Sequence, residues 1–281
     1  MHAKESKIKE HYHSDNLLQK IKNALEKAGK DIDRLELKDL SPVDQLHTGG
    51  AASSIELFRK AGFLPEEVVL DAGCGMGGSS RLLAKEFHCR VMGLDLSDVF
   101  IECAVFLTKC TGLEESARFQ EGSVTNLPFE NNSFDAILCQ HILMNIEDKA
   151  AAVKEFYRVL KPGGKLVLHE ITQGRGDGMC YPVPWASKAS ISFLETWDAL
   201  AGIIEQTGFS KNFVSDESKN AGIWWEKVRK ASETHTPKPD ALGPGIVFGA
   251  NAAFFGRNMA ANFKNNAICF VEALFKKERD A

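Results

Sequence analysis

The sequence lacks several features that would assign it to a class at once. No apolar run approaches the roughly 20 residues that a membrane-spanning helix needs, and the charged N-terminus has no apolar signal-peptide region. Lys and Arg total 34 against 38 Asp and Glu, and they form no dense basic run of the kind that binds nucleic acid. We therefore expect a cytoplasmic protein with no membrane partner and no nucleic-acid partner.

The 7 cysteines and 8 histidines also lack the spacing of a metal site. No cysteine pair has the CxxC spacing of zinc or redox motifs, and the odd count argues against a complete set of disulfides. We expect reduced cysteines that are mostly buried, and no metal.

What the chain does contain is a regular alternation of short apolar runs with helical patterns. Five runs have the apolar or β-branched content of buried strands: Val68–Asp71, Arg90–Asp95, Arg118–Glu121, Phe134–Gln140 and Lys165–Glu170. Helical patterns lie between most of them, at Gly78–Phe87, Asp98–Thr111 and Asp148–Leu160, and two further strands are predicted at Lys211–Val214 and in the last run NNAICFVEALFKK. Alternating strands and helices specify a doubly wound α/β fold, here with a seven-stranded, mostly parallel sheet.

Segments on both sides of this alternation suggest additions to the sheet. Residues 1–48 are predicted to form an N-terminal helical segment over the ligand site, with Ser14 capping its first amphipathic helix. Residues 49–281 would form the α/β domain. Two long connections, about 172–195 and 216–263, are predicted to form a cap over the sheet.

A glycine-rich loop follows the first strand directly, in the order Asp71-Ala72-Gly73-Cys74-Gly75-Met76-Gly77-Gly78. Glycines allow backbone N–H groups to approach a ligand, and Asp95 at the end of the second strand is placed to accept the hydroxyls of a ribose. Both features suit any adenosine cofactor. Asp71 would repel a pyrophosphate but would attract the cationic groups of S-adenosylmethionine, although it could also simply order the loop.

Four motifs in this order resemble the class I S-adenosylmethionine-dependent methyltransferases. They are VVLDAGCGMGG, VMGLDLS, GSVTNLPFENNSFDAIL and RVLKPGGKLVL, and the resemblance covers roughly residues 43–209. It is nearest to the type-11 group, which includes ubiquinone-biosynthesis-like and sarcosine/dimethylglycine-like enzymes, and it implies a Rossmann-like sheet. One departure is Ser123, which stands where the family often has the Asp that binds the adenine amino group.

The resemblance implies S-adenosylmethionine as cofactor and S-adenosylhomocysteine as product. Combined with the motifs above, it predicts a set of cofactor-binding residues: His47, Thr48, Gly49, Asp71, Gly73, Cys74, Gly75, Gly77, Asp95, Leu96, Ser123, Val124, Gln140 and His141. An alternative for Thr48 is a role as the cap of the following helix.

Three residues near the ends of the fourth and fifth strands are candidates for catalysis. His141 follows the fourth strand and could act as a base near neutral pH, or could instead cap the following helix. His169 and Glu170 end the fifth strand, where alternation places only one of the two in the ligand crevice. Glu170 is predicted to face the substrate.

The function predicted from these features is methyl transfer to a small-molecule nucleophile, by a monomer or a homodimer. An amine or amino-acid-like acceptor is favoured because the predicted cap is rich in aromatics, among them Trp185, Trp225 and Phe248, which stabilise cations. Three alternatives stay open: methylation of a phenol or quinol at oxygen or carbon, a non-catalytic S-adenosylmethionine-binding protein, and an NAD-linked oxidoreductase.

Overall fold

The computed structural model describes residues 8–12, 14–234 and 241–278, and its centre is one seven-stranded sheet. The strands, in the spatial order β3-β2-β1-β4-β5-β7-β6, are β1 Val68–Ala72, β2 Arg90–Asp95, β3 Ala117–Glu121, β4 Phe134–Gln140, β5 Leu160–Gln173, β6 Phe209–Asp216 and β7 Ile268–Lys277. The helices are α1 Leu17–Lys27, α2 Leu37–Asp44, α3 Gly50–Ala61, α4 Gly78–Phe87, α5 Asp98–Cys110, α6 Lys149–Val159, α7 Trp197–Gln206, α8 Ser218–Thr234, α9 Pro244–Phe248 and α10 Ala252–Lys264.

Strands β1 to β5 are mutually parallel, and β7 is antiparallel to both of its neighbours. This confirms the predicted doubly wound, mostly parallel α/β sheet. Helices cover both of its faces because each parallel connection must cross over the sheet. The carboxyl ends of β1, β2 and β4 consequently meet at one edge, where this class of fold binds ligands.

The fifth strand begins earlier than its apolar pattern predicts. Leu160 already pairs with Phe134, and the next pair joins Lys165 to Ala136, so residues 161–164 bulge out of the ladder. Pro162 has no N–H to donate, and Gly163 has a φ of 79°, which a residue with a Cβ rarely adopts. The turn signal in Lys-Pro-Gly-Gly is therefore a bulge within β5 rather than a boundary before it.

The N-terminal helix belongs to the packed body of the protein, and Ser14 does not cap it. Helix α1 begins at Leu17 after Asn16, and it packs with α5 and α9 in one buried cluster. Ser14 is itself buried, donating to the carbonyl of Ile246 at 3.3 Å and accepting from Lys20 Nζ at 3.1 Å. The prediction of a Ser14 cap is wrong because a tertiary contact uses its hydroxyl.

The two connections predicted as a cap share a hydrophobic cluster. Trp185 and Ile191 from the first connection pack with Trp225 of α8 and with Phe255 and Met259 of α10. Most of the cap aromatics thus hold these segments together. Within the described ranges, no helix has both the length and the apolar content required to cross a membrane.

Candidate active site

A cavity of about 610 Å³ opens at the carboxyl ends of β1, β2 and β4. Residues from the N-terminal segment (Ile8, Lys9, Tyr12) and from the cap (Pro184, Trp185, Phe193, Phe248) complete its wall. Most of the residues predicted to bind cofactor line it: His47, Asp71, Gly73, Cys74, Gly75, Asp95, Leu96, Ser123, Val124, Gln140 and His141.

The glycine loop is shaped by backbone contacts that only glycine permits. Gly73 has a φ of 78°, and a Cβ on it would lie 2.1 Å from Ile142 Cδ1. The N–H groups of Gly73 and Cys74 both donate to the carbonyl of Leu94, at 2.7 and 3.0 Å, which ties the loop to β2. A Cβ on Gly75 would meet no protein atom within 4 Å, so that position leaves open space beside the cavity.

Asp95 ends β2 with both carboxylate oxygens on backbone donors. Its Oδ2 accepts from the Gly75 N–H and its Oδ1 from the Ser97 N–H, each at 2.9 Å. Burial raises the pKa of Asp95, while these N–H groups oppose the rise. Each carboxylate oxygen has a further lone pair, so the group can also accept from two ligand hydroxyls.

Asp71 is 2% exposed and lines the cavity from the end of β1. Burial raises its pKa to about 6, although Ser80 Oγ donates to Oδ2 at 2.5 Å. This buried carboxylate orders the first turn of α4, and its position in the wall also allows it to attract a cation. The two roles considered for Asp71 are therefore compatible.

Gln140, at the end of β4, connects three elements below the cavity. Its Oε1 accepts from Ser79 Oγ at 2.5 Å, and its Nε2 donates to Ser54 Oγ at 2.9 Å and to His169 Nδ1 at 3.1 Å. Ser54 Oγ also lies 2.8 Å from His47 Nε2. This network joins β4, α3 and α4 and fixes the direction of the lining residues Gln140 and His47.

His141 lies in the cavity wall with an unusual backbone. Its φ is 57°, its N–H donates to the carbonyl of His169 at 2.8 Å, and its Nε2 is buried with no partner among the described residues. Burial, with a contribution from His47, holds the pKa of His141 well below its usual range. The ring is therefore neutral and has an acceptor nitrogen.

The other two catalytic candidates do not reach the cavity. His169 is fully buried, and its Nε2 lies 2.9 Å from Ser53 Oγ on the side of α3. Glu170 is also fully buried, and its Oε1 accepts from the N–H groups of Ile142 at 2.9 Å and Leu143 at 3.1 Å. The prediction that Glu170 faces the substrate is wrong, because the chain after β4 covers it.

Three residues predicted to bind cofactor lie outside the cavity wall. Thr48 is buried and accepts from Trp225 Nε1 at 3.2 Å, and it does not cap α3, which begins at Gly50 after Gly49. Gly77 is the N-cap residue of α4, and a Cβ on it would lie 2.7 Å from the ring of Phe119. Close packing against Phe119 therefore explains why position 77 is a glycine.

Sequence reasoning missed several lining residues. Asn145 follows the predicted site residue His141 by four positions and donates through Nδ2 to the Tyr12 hydroxyl at 3.0 Å, while its Oδ1 is buried with no partner among the described residues. Asp44 pairs with the fully buried Arg81 at 2.6 Å. Of these residues, only Asn145 lies in a segment, the one after β4, that the sequence motifs pointed to. Tyr12 and Asp44 reach the cavity through tertiary packing, which no motif records.

The charges in the described wall are mostly negative. The carboxylates are Asp44, Asp71, Asp95, Glu147 and Asp148. Lys9 is the one Lys or Arg in this wall among the described residues, and its Nζ pairs with Glu121 at 2.7 Å. The cavity therefore has aromatic and apolar walls with a negative electrostatic bias.

Comparison with known proteins identifies the family. A family model described as a methyltransferase domain matches residues 70–168. An uncharacterised protein of Haemophilus influenzae is 30% identical over 168 residues, which cover 59% of this chain and 67% of that protein. Phosphoethanolamine N-methyltransferase 1 of Arabidopsis thaliana is 37% identical over 123 residues, or 44% of this chain and 25% of that enzyme.

A solved phosphoethanolamine N-methyltransferase has a similar fold. Phosphoethanolamine N-methyltransferase 2 of Haemonchus contortus, solved with phosphomonomethylethanolamine and S-adenosylhomocysteine, superposes with a TM-score of 0.70. The two chains are 20% identical, and the match covers 84% of this chain and 55% of that one. Our chain thus spans only part of these named enzymes. The matched family model, the four sequence motifs of this chain and the shared fold together show that the chain belongs to the class I S-adenosylmethionine-dependent methyltransferases.

Proposed function

We propose that this protein transfers the methyl group of S-adenosylmethionine to a small-molecule amine. The observation that carries the proposal is one cavity in which Asp71, the glycine loop and Asp95 share a wall with the aromatic side chains of Trp185, Phe193 and Phe248. The cofactor-binding half of that wall fits the cofactor's chemistry. The aromatic side chains and the negative charge of the wall point to the class of the methylated group.

The chain's own residues would hold the cofactor by three kinds of contact. Asp95 has lone pairs for the ribose hydroxyls, the open side of Gly75 allows close approach, and Asp71 attracts positive charge. When bound, S-adenosylmethionine supplies a methyl group already activated by its sulfonium. Catalysis by the protein then rests largely on aligning the acceptor and excluding water.

Two polar side chains in the wall also favour an amine over other nucleophiles. His141 and Asn145 line the cavity, and each has a buried polar atom, Nε2 and Oδ1, without a partner among the described residues, which a rotation of the side chain would bring to a ligand hydrogen. A primary amine can donate to both and still present its lone pair, whereas a hydroxyl has a single hydrogen. Aromatic walls at Trp185, Phe193 and Phe248 suit the cationic form in which most amines arrive, and this form must release one proton to water before its lone pair can attack the methyl group.

The wall charges argue against an anionic acceptor. A phosphate is normally bound by Arg or Lys clusters, and Lys9 is already paired with Glu121. The named relatives methylate phosphoethanolamine, as their names state, but the described part of this cavity has no basic cluster for a phosphate. We therefore propose an amine without a phosphate group.

The experiment is a screen for release of S-adenosylhomocysteine with amines, phenols, carbon acids and phosphoethanolamine, with methylated products identified by mass spectrometry. We expect turnover of uncharged or cationic amines. His141→Ala and Asn145→Ala should each raise KM for the amine about tenfold, since each removes one hydrogen-bond acceptor. Asn23→Ala, on the surface of α1, is the control that should change nothing. Turnover confined to phenols or to phosphoethanolamine would contradict the proposal.

Methylation of a phenol or quinol is the second candidate, and one observation favours it. His141 lines the cavity and its neutral ring could accept the proton that a hydroxyl must lose, although the burial that lowers its pKa also weakens it as a base. In that case His141→Ala would chiefly lower kcat, and Asn145→Ala would have the smaller effect.

A further inference from the structure

We propose that Glu170 is a positioning residue for this methyltransferase: its carboxylate holds the post-β4 segment, residues 141–146, so that His141 and Asn145 face the cavity. The inference rests on the proposed function for its catalytic readout. Its structural part stands on the contacts of Glu170 alone. It gives this buried acid a role different from binding the acceptor.

One carboxyl oxygen of Glu170 accepts the hydrogen bonds at the start of the post-β4 segment. Glu170 Oε1 accepts from the N–H groups of Ile142 and Leu143, at 2.9 and 3.1 Å, and from the thiol of Cys139 at 3.4 Å. Consecutive backbone N–H groups that point the same way need an acceptor from outside their own turn. Glu170 reaches them from the neighbouring strand β5, where it is fully buried.

The turn that these bonds hold is conformationally costly. His141 has a φ of 57°, in the left-handed region that a side chain with a Cβ rarely adopts. Without the two bonds to Glu170, the segment would relax toward ordinary φ values. The rotation would swing the imidazole of His141 away from its present place in the wall.

The far end of the post-β4 segment is held by a second buried side chain, that of Lys149. Lys149 Nζ donates to the carbonyls of Ile146 and Phe193, and the N–H of Phe193 donates to the carbonyl of Met144 at 2.8 Å. The segment is thus fixed at its start by the carboxyl group of Glu170 and at its end by the amino group of Lys149. Since Met144, Ile146 and Phe193 also line the cavity, both side chains act on the acceptor side of the site.

Substitutions separate a positioning role from a chemical one. Glu170→Gln keeps a carbonyl oxygen that can accept from Ile142 and Leu143, but it removes the charge. Glu170→Ala removes the acceptor as well. Thr172→Val is the matched control, because Thr172 is buried two residues along the same face of β5 and its hydroxyl has no partner among the described residues.

We expect Glu170→Ala to lower kcat/KM for the amine by about tenfold or more, because the misplaced His141 and Asn145 no longer hold the acceptor, while the Kd for S-adenosylhomocysteine changes by about threefold or less. Glu170→Gln should restore kcat/KM to within about threefold of the wild-type enzyme. Amide hydrogen exchange should accelerate at Ile142 and Leu143 in Glu170→Ala and stay slow in Glu170→Gln and in Thr172→Val.

Two results would overturn the inference. If Glu170→Gln is as damaging to kcat/KM as Glu170→Ala, the charge itself takes part in the reaction. If Glu170→Ala keeps slow exchange at Ile142 and Leu143, the carboxylate does not hold the segment. Failure of the wild-type protein to bind S-adenosylhomocysteine would instead refute the proposed function, and the exchange comparison would still decide the role of Glu170.

Discussion

Replacing Asp71 by Asn should stabilise the protein and weaken its cofactor binding at the same time. Burial raises the pKa of Asp71 from 3.8 to about 6. The folded state therefore favours the protonated acid, and it loses stability relative to the unfolded chain as pH rises from about 4 through 6. A rise of roughly two pKa units corresponds to about 3 kcal/mol at pH 8.

The Asp71→Asn variant cannot ionise, so it does not carry this cost. Its amide oxygen can still accept the hydrogen bond that Ser80 Oγ donates at 2.5 Å. We expect its free energy of unfolding to exceed that of the wild-type protein by up to about 3 kcal/mol at pH 8, and by about half as much at pH 5. Urea titrations at the two pH values measure this difference.

The same substitution removes the negative charge that, in the proposed function, attracts the cofactor's cationic groups. Loss of one charge-assisted hydrogen bond, about 1.5–3 kcal/mol, should raise the Kd for S-adenosylmethionine by about tenfold or more in calorimetry. Asp198→Asn, at an exposed position, should change neither quantity by much. A variant that is less stable than wild type at pH 8, or that binds the cofactor normally, would refute this account of Asp71.

Two further predictions concern the loop that faces the cofactor. Asp95→Ala should raise the Kd for S-adenosylmethionine about a hundredfold and lower the free energy of unfolding by about 2 kcal/mol, because ribose contacts are lost and the N–H groups of Gly75 and Ser97 lose their acceptor. Unchanged affinity in the folded variant would show that Asp95 is not the ribose ligand. Gly73→Ala should lower Tm by several degrees, since its Cβ would lie 2.1 Å from Ile142 Cδ1 at a φ of 78°. A second substitution, Ile142→Ala, should recover part of that loss in thermal unfolding, and no recovery would argue against the contact.

The limits of sequence reasoning are clearest at the end of β5. Strand alternation predicted that one of His169 and Glu170 would face the ligand, but neither lines the cavity. His169 bonds to Ser53 of α3 on one face, and Glu170 bonds to the segment after β4 on the other. Alternation determines that two neighbouring side chains point to opposite faces, and it cannot say what covers each face.

The sequence by itself determined the sheet and the core of the proposed cofactor-binding half of the site. Glycines directly after a strand and an acid at the end of the next strand are local signals, and parallel strands bring Asp71, Asp95 and Gln140 to one edge by geometry alone. Only the tertiary structure decided the acceptor half. Tyr12 and Phe248 are far apart in sequence, yet their rings lie 6.0 Å apart in the wall, because the N-terminal segment and the cap pack over the same edge of the sheet. Such contacts depend on how separate segments share buried surface, which no local pattern records.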